Sequence, residues 1–322
     1  MSAPAPEPGL DRMWAEATEA LEAGANEVSA RLHRQLAAVT PTVHEVIYRL
    51  GALNRRLSDY ATAQRLIRRA MTIRGDAPAR VRRSTVIPIL DLSPHSPFNI
   101  ETLLGDLARF DGEVICVFNN KVLADRLAGH PRINRYAVNS DNVGVGRAWN
   151  IGLNLAEGEI VFMLNADLHV SQETLEALES GARLLPDAVA VGVGGDLIDW
   201  ERMVSVAVID QSAQLPRRVD IVSGFLFALH AERFHAAGLS FDPRLGPFFY
   251  EEMDLGLKAA AAGLNMYAVA AAGWRHDLGI SANPKPVRYL GREVDRVFVM
   301  ARNAEIAVAR RRLLAIGSRK QE

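Results

Sequence analysis

The chain has 322 residues, 49% of them hydrophobic and 23% charged, with a formal net charge of −1. That length fits one large domain or a medium domain with an appendage, and the composition excludes a disordered or fibrous chain. No apolar stretch approaches the roughly 20 residues that a membrane helix needs, so a soluble protein is expected.

Residues 1–10 are rich in Pro and Ala and lack the basic-then-apolar pattern of a signal peptide, so they read as a disordered lead-in. Residues 11–83 read as a helical appendage. Thr40-Pro41 breaks the apolar runs, a helix is expected after Ser58-Asp59, and Gly75-Asp76-Ala77-Pro78 ends it. The spacing of Leu50-Gly51, Ala63, Ile67 and Ala70 resembles one tetratricopeptide helical hairpin, although such repeats need about three units to bury their faces. The alternative is a helical appendage packed on the main domain or on a second subunit of a homodimer.

From Ser84 the texture changes. Strand-like runs at Thr85–Leu90, Val114–Phe118, Asn134–Val138, Ile160–Leu164 and Val189–Val193 alternate with helical patterns at Ile100–Ala108, Val122–Leu127, Val145–Ala156 and Gln172–Leu185. Near-continuous apolar strands joined by helices predict a mostly parallel α/β sheet covered on both faces. Ligands then bind beyond the carboxyl ends of the strands. Later strands are expected at Val204–Ile209, Val219–Leu229 and Asn265–Val269, and a terminal helix at Gly291–Ile316. The single cysteine, Cys116, lies in a strand-like run and reads as a core thiol in a cytoplasmic setting.

Charge is unevenly distributed. Residues 42–83 carry ten arginines against three acids, and residues 285–322 ten basic side chains against four acids. Residues 84–284 hold 14 basic and 25 acidic side chains. A phosphorylated ligand bound by that acidic middle requires a compensating charge, most simply a divalent cation.

Four segments carry the chemistry. In Asn142-Val143-Gly144-Val145-Gly146-Arg147, the glycines permit close backbone approach at a strand-to-helix turn whose free N–H groups point at the crevice. It is not a dinucleotide fingerprint, because Trp149 occupies the third glycine position. Asn165-Ala166-Asp167 ends the strand at Ile160–Leu164, where a carboxylate can hold Mg²⁺ or Mn²⁺ against a diphosphate. Capping of the next helix falls better to Ser171. In Glu251-Glu252-Met253-Asp254, mutual repulsion can raise one carboxyl into the range of a useful base. Helix-start charge, with Asp254 paired to Lys258, explains Asp254 and competes evenly for Glu251 and Glu252. The fourth is His276 in Trp274-Arg275-His276-Asp277; a lone His, like His169, is more often structural.

Taken in order, Val86-Ile87-Pro88, Asn142…Asn150-Ile151-Gly152, Ala156-Glu157-Gly158-Glu159, Leu164-Asn165-Ala166-Asp167, Ser223-Gly224-Phe225, Phe241-Asp242, Phe249-Tyr250-Glu251-Glu252-Met253-Asp254-Leu255 and His276 resemble the inverting family 2 glycosyltransferases of GT-A fold. The likeness spans about Thr85–Ser281. It is nearest to the bacterial rhamnosyltransferase and galactofuranosyltransferase branches, where Asn often replaces the first acid of the Asp-X-Asp signature. The resemblance implies domains at 84–284 (GT-A) and 285–322 (a basic C-terminal helix). It implies a nucleotide-diphosphate sugar donor, a Mn²⁺ or Mg²⁺ cofactor held by Asp167 with His276, and Asn165 near the ribose. Glu252 falls at the catalytic base, usually Asp, with Glu251 before it, and Gly224 lies near donor sugar and acceptor. Two positions depart from the family. The second strand ends in Asn119-Asn120 rather than Asp-Asn or Asp-Asp, and the first in Leu90-Asp91 rather than Tyr-Asn, so Asp91 becomes a candidate for the base contact.

The expected reaction is single displacement with inversion onto a glycan, lipid-linked or protein acceptor. The basic terminal helix allows peripheral contact with an anionic membrane, with packing against protein the alternative. No aromatic-basic pattern supports nucleic-acid binding. The competing functional class is a catalytically weak sugar-nucleotide-binding module that recruits a protein. A nucleotidyltransferase is disfavoured, since no Gly-rich basic loop follows the first strand.

Overall fold

The computed structural model describes residues 8–40, 42–75, 83–92, 96–185, 187–276 and 286–314, and the chain forms two compact units, Met1–Arg80 and Val81–Glu322. The first unit is helical: α1 (Pro8–Glu22), α2 (Asn26–Val39), α3 (His44–Arg56) and α4 (Tyr60–Arg74). Residues 1–7 of the expected lead-in lie outside the described residues, and its last three are already helix. Small apolar clusters hold the unit, one on Ala17, Leu36 and Val46 and one on Ala30, Leu50 and Leu53. The hairpin read as tetratricopeptide-like is α3–α4, which meet closely at Gly51, beside Ala63 and Ile67.

The second unit runs β1 (Arg83–Ile89), α5 (Ile100–Asp106), β2 (Glu113–Phe118), α6 (Lys121–Leu127), β3 (Arg135–Val138), α7 (Val145–Leu155), β4 (Ile160–Leu164), β5 (Leu168–Val170), α8 (Gln172–Leu184) and β6 (Ala188–Gly192). It continues through β7 (Gly195–Asp199), β8 (Val204–Ile209), β9 (Arg217–Val219), β10 (Ile221–Val222), β11 (Leu226–His230), α9 (Ala231–Ala236) and α10 (Glu251–Ala261). The last elements are β12 (Asn265–Ala268), β13 (Trp274–His276), β14 (Val287–Tyr289), β15 (Arg292–Val294) and α11 (Arg296–Leu314).

Eight strands form the main sheet in the order β3-β2-β1-β4-β11-β6-β12-β9. β1 to β4 are parallel, β11 runs antiparallel between β4 and β6, and β9 closes the far edge antiparallel. The period of two along each strand sorts side chains onto two faces. Ile87, Cys116 and Phe162 join one core, whereas Val86, Ile115 and Val161 on the same strands join the other. Helices α5, α6 and α8 cover the first face through Leu103, Leu123 and Leu178; α7, α9 and α10 cover the second through Trp149, Phe234 and Leu255. Both faces being covered is why these strands read as continuous apolar runs. Burial pushes the Cys116 thiol up to about 12, as befits an inert core residue.

Several expected boundaries hold. Asn99 forms a capping box on α5, and Ser171 Oγ accepts from Thr174 N at 3.2 Å to cap α8. The Ala156–Glu159 motif is structural: Gly158 N donates to Ser84 Oγ (2.7 Å), and Ser84 Oγ donates to the buried Glu113 carboxylate (2.6 Å). Asn150 exchanges two bonds with the Phe241 backbone, at 2.7 and 3.0 Å, and so ties α7 to the segment leading into α10.

Two expectations are corrected. The stretch Val219–Leu229 is three elements, because β10 leaves the main sheet to pair with β7 before β11 re-enters it. The terminal helix begins at Arg296, and residues 287–294, partly assigned to it, are a β-hairpin. α11 belongs to the same compact unit as the sheet and packs on α10. Its charge explains this, since Arg310 Nε donates to Asp254 Oδ1 at 2.9 Å and its Nη2 donates to Asp242.

Candidate active site

A cavity of about 320 Å³ opens at the carboxyl ends of β1, β2 and β4. Asp91 follows β1 and Asn119 follows β2 on one side. Asn165, Ala166 and Asp167 follow β4 at its floor. The antiparallel return of β11 brings Gly224-Phe225 alongside, with Asn165 N donating to Phe225 O at 2.9 Å. Pro247–Phe249, Glu251 and Glu252 of the first turn of α10, and His276 of β13 line the same cavity.

Asp167 and His276 meet directly, Oδ1 to Nε2 at 3.3 Å, each side chain 13% exposed. The short pairing of β13 with β5 brings them together, since His276 aligns with Leu168, the residue after Asp167. Phe225 stacks on the imidazole at 4.3 Å with the rings 4° from parallel, and Asn165 Nδ2 lies 3.3 Å from Nε2. A carboxylate oxygen beside an imidazole nitrogen is a mixed donor pair that suits a transition-metal cation such as Mn²⁺ better than Mg²⁺, which prefers oxygen alone. No group of three His, Cys, Asp or Glu side chains that could hold a metal occurs among the described residues.

The carboxylates of α10 have a different character. Glu251 is 1% exposed and its Oε1 has no hydrogen-bond partner among the described residues. Burial first, then the neighbouring Glu252 and Asp254 charges, raise its carboxyl well above the usual range. Glu252 is also raised, by burial first and by the Asp196 carboxylate beside it. Asp254 differs: it is fully buried, its Oδ2 lies 2.5 Å from Lys258 Nζ, and Arg310 pairs its other oxygen. The helix-start reading is therefore right for Asp254, and the two glutamates are the ones that line the cavity.

Two members of the glycine turn fall elsewhere. Arg147 is absent from the cavity wall, and its Nε donates to Pro243 O at 3.1 Å. Gly144 has φ +85°, which suits glycine, but a Cβ there would meet Pro247 Cα at 2.9 Å. It serves packing against the Pro247 segment and does not line the cavity. Val145 N donates to Pro247 O at 2.9 Å, so this N–H of the helix start has a protein partner. Asn142 lines the cavity while its Oδ1 accepts from Gly144 N and its Nδ2 donates to Arg288 O, both at 2.9 Å. Asn119 Oδ1 likewise accepts from Asn139 Nδ2 at 2.9 Å. Sequence reasoning assigned no cavity role to Trp149 and Phe248, and gave Phe225 no part in seating His276.

Residues 99–201 match the family model described as glycosyl transferase family 2. No curated protein matches the chain. Among solved structures, the chain is similar to GalNAc-T7 crystallised with UDP, GalNAc and Mn²⁺, at 15% identity and a TM-score of 0.52, covering 72% of this chain and 48% of that one. It is also similar to the S. aureus protein TarS, residues 1–349, at 16% identity and a TM-score of 0.45, over 60% of this chain and 59% of that one. A third is the mannosyltransferase PcManGT of Pyrobaculum calidifontis in complex with GDP-Man and Mn²⁺, at 23% identity and a TM-score of 0.42, over 58% and 54% of the two chains. The matched region thus spans only about half of GalNAc-T7, the comparison on which the fold assignment rests. The fold of this chain is the GT-A glycosyltransferase fold, with residues 99–201 matching the family 2 model.

Proposed function

We propose that the protein is a metal-dependent, inverting glycosyltransferase that moves a sugar from a nucleotide-diphosphate donor to a hydroxyl of a glycan, lipid-linked or protein acceptor. The observation that carries this reading is that Asp167 and Glu252, over 80 residues apart in the chain, line one cavity. Asp167 and His276 would hold the cation, which would supply positive charge against the departing diphosphate. Asn165 and Asp91 are the candidates for ribose and base contacts. Asn119, Asn142 and Ala166 line the same donor side.

Glu252 takes the proton of the acceptor hydroxyl as that oxygen forms its bond to the anomeric carbon. The bond from carbon to phosphate oxygen breaks on the opposite face, and its electron pair leaves with the diphosphate. The raised Glu252 carboxyl supports this assignment, since a base works best with its pKa near the operating pH. The acidic middle of the chain supports the need for a cation.

The test is a panel of nucleotide sugars, each assayed with and without Mn²⁺ for thermal stabilisation and for release of nucleoside diphosphate. Asn165 at the first Asp-X-Asp position puts rhamnose and galactofuranose nucleotides first in the panel. Metal-dependent stabilisation with turnover is expected. Stabilisation without turnover in the presence of any acceptor class would instead indicate a sugar-nucleotide-binding module.

A further inference from the structure

Asn303 lies in the middle of α11, where asparagine is a poor helix former, and it is fully buried. Its Nδ2 points at three backbone carbonyls of one segment: Leu245 O at 3.1 Å, Phe248 O at 3.0 Å and Phe249 O at 3.0 Å. The orientation of the amide is set by Arg302, whose Nε and Nη2 donate to Asn303 Oδ1 at 3.1 and 2.9 Å. Arg302 Nη2 also donates to Gly246 O. With Oδ1 held by a cation, both amide hydrogens face the carbonyls.

The segment so gripped is unusual. Phe249 and Tyr250 have φ of +76° and +74°, the only consecutive non-glycine residues in the left-handed region among those described. Such backbone is strained for a residue with a Cβ and persists only where its surroundings over-determine it. These two residues turn the chain into α10, whose first residues are Glu251 and Glu252.

We propose that Asn303, oriented by Arg302, is a positioning residue: its grip on Leu245, Phe248 and Phe249 holds the left-handed turn that delivers Glu251 and Glu252 to the cavity. The inference rests on the reading of Glu252 as the base. It gives α11 a role in turnover that basic charge alone does not suggest.

The test uses the full chain, Asn303→Ala and Arg302→Ala, with the nucleotide sugar that gives the largest Mn²⁺-dependent thermal shift. Diphosphate release and amide hydrogen exchange over residues 248–254 are both followed. Asn303→Ala is expected to lower kcat about 10- to 100-fold, the scale of a misplacement near 1 Å, with donor KM within about twofold of the parent. Its acidic limb in the kcat–pH profile should move to lower pH, because a loosened turn admits water to Glu252. Exchange should quicken over 248–254. Arg302→Ala should show the same changes, smaller. Unchanged kcat and pH limb in a folded Asn303→Ala overturns the proposal, whether or not exchange quickens. Should that variant fail to fold, an unchanged kcat and limb in Arg302→Ala overturns it equally. Failure of the base reading is separable: it appears as normal turnover in Glu252→Gln, while the exchange result needs no turnover.

Discussion

The Glu252 carboxylate lies against the backbone of Gly224, so close that a Cβ on Gly224 would come 1.5 Å from Glu252 Oε1. The loop that enters β11 and the first turn of α10 are thus fitted directly to each other where both line the cavity. Gly224→Ala must move the carboxylate, the loop or both. Transfer is expected to fall about 100-fold, as for a misplacement of about 1 Å, while the Tm shifts by only a few degrees. Nucleoside diphosphate release beside a thermal melt checks both parts.

Glu252→Gln keeps size and polarity but removes the proton acceptor. Turnover is expected to drop about 10²- to 10⁴-fold while the affinity for donor and Mn²⁺ stays near that of the parent. Because the carboxyl is raised, the parent's rate should climb with pH through a value above the ordinary glutamate range of about 4.3. That acidic limb should be lost in the variant. Normal turnover in Glu252→Gln would remove Glu252 from the mechanism.

Glu251 makes a prediction about stability rather than rate. Its folded carboxyl is raised, so the folded state binds the proton more tightly than the unfolded chain does. The group's favourable contribution is present below the unfolded value near 4.3 and is lost as pH rises through the folded one. Glu251→Gln should therefore melt close to the parent near pH 4 and increasingly above it toward pH 8. Each unit of raised pKa corresponds to about 1.4 kcal/mol. Thermal melts across that range test it, and a gap that narrows with rising pH would contradict the assignment.

Asp167→Asn removes the carboxylate of the candidate metal pair. It should abolish the Mn²⁺-dependent part of the thermal shift produced by a nucleoside diphosphate, which in the parent is about 2.7 kcal/mol at 100 times Kd. His276→Ala should weaken the same response by 10- to 100-fold in apparent metal affinity, roughly the scale seen when a metal site loses a supporting contact. An undiminished metal response in Asp167→Asn would place the cation elsewhere.

Arg310 joins two buried acids, Asp242 and Asp254, to α11. Burial alone would push the Asp242 carboxyl up, but the bonds from Arg244 and Arg310 hold it well below the usual carboxylate range. Arg310→Met should destabilise the chain by about 3 kcal/mol at neutral pH, the scale of breaking a buried pair. A depressed carboxyl contributes stability above its unfolded value and loses it as pH falls toward the folded one. The deficit should therefore shrink below about pH 4 in denaturant melts.

The sequence by itself determined the first four parallel strands of the sheet, the helices between them and which residues stand at the strand ends. Those follow from local rules: continuous apolar runs at β1, β2 and β4, the Ser171 cap, and acids ending strands or starting helices. The pairing of Asp254 with Lys258, four residues along one helix, was equally legible. What only the tertiary structure decided is which motif residues face the cavity and which face protein. Asn142, Asn165 and Asn150 are the same residue type in similar motifs, yet Asn150 ties α7 to Phe241 while the other two line the cavity. Nothing local distinguishes them, because the partner lies about 90 residues away for Asn150 and over 100 for Asn165 and Asn142. Arg147 of the glycine turn is taken up by Pro243, and Asn303 is buried where α11 packs on α10. Long-range packing selects the partner of each polar group, since a buried donor or acceptor must be satisfied by whatever the fold brings within about 3 Å.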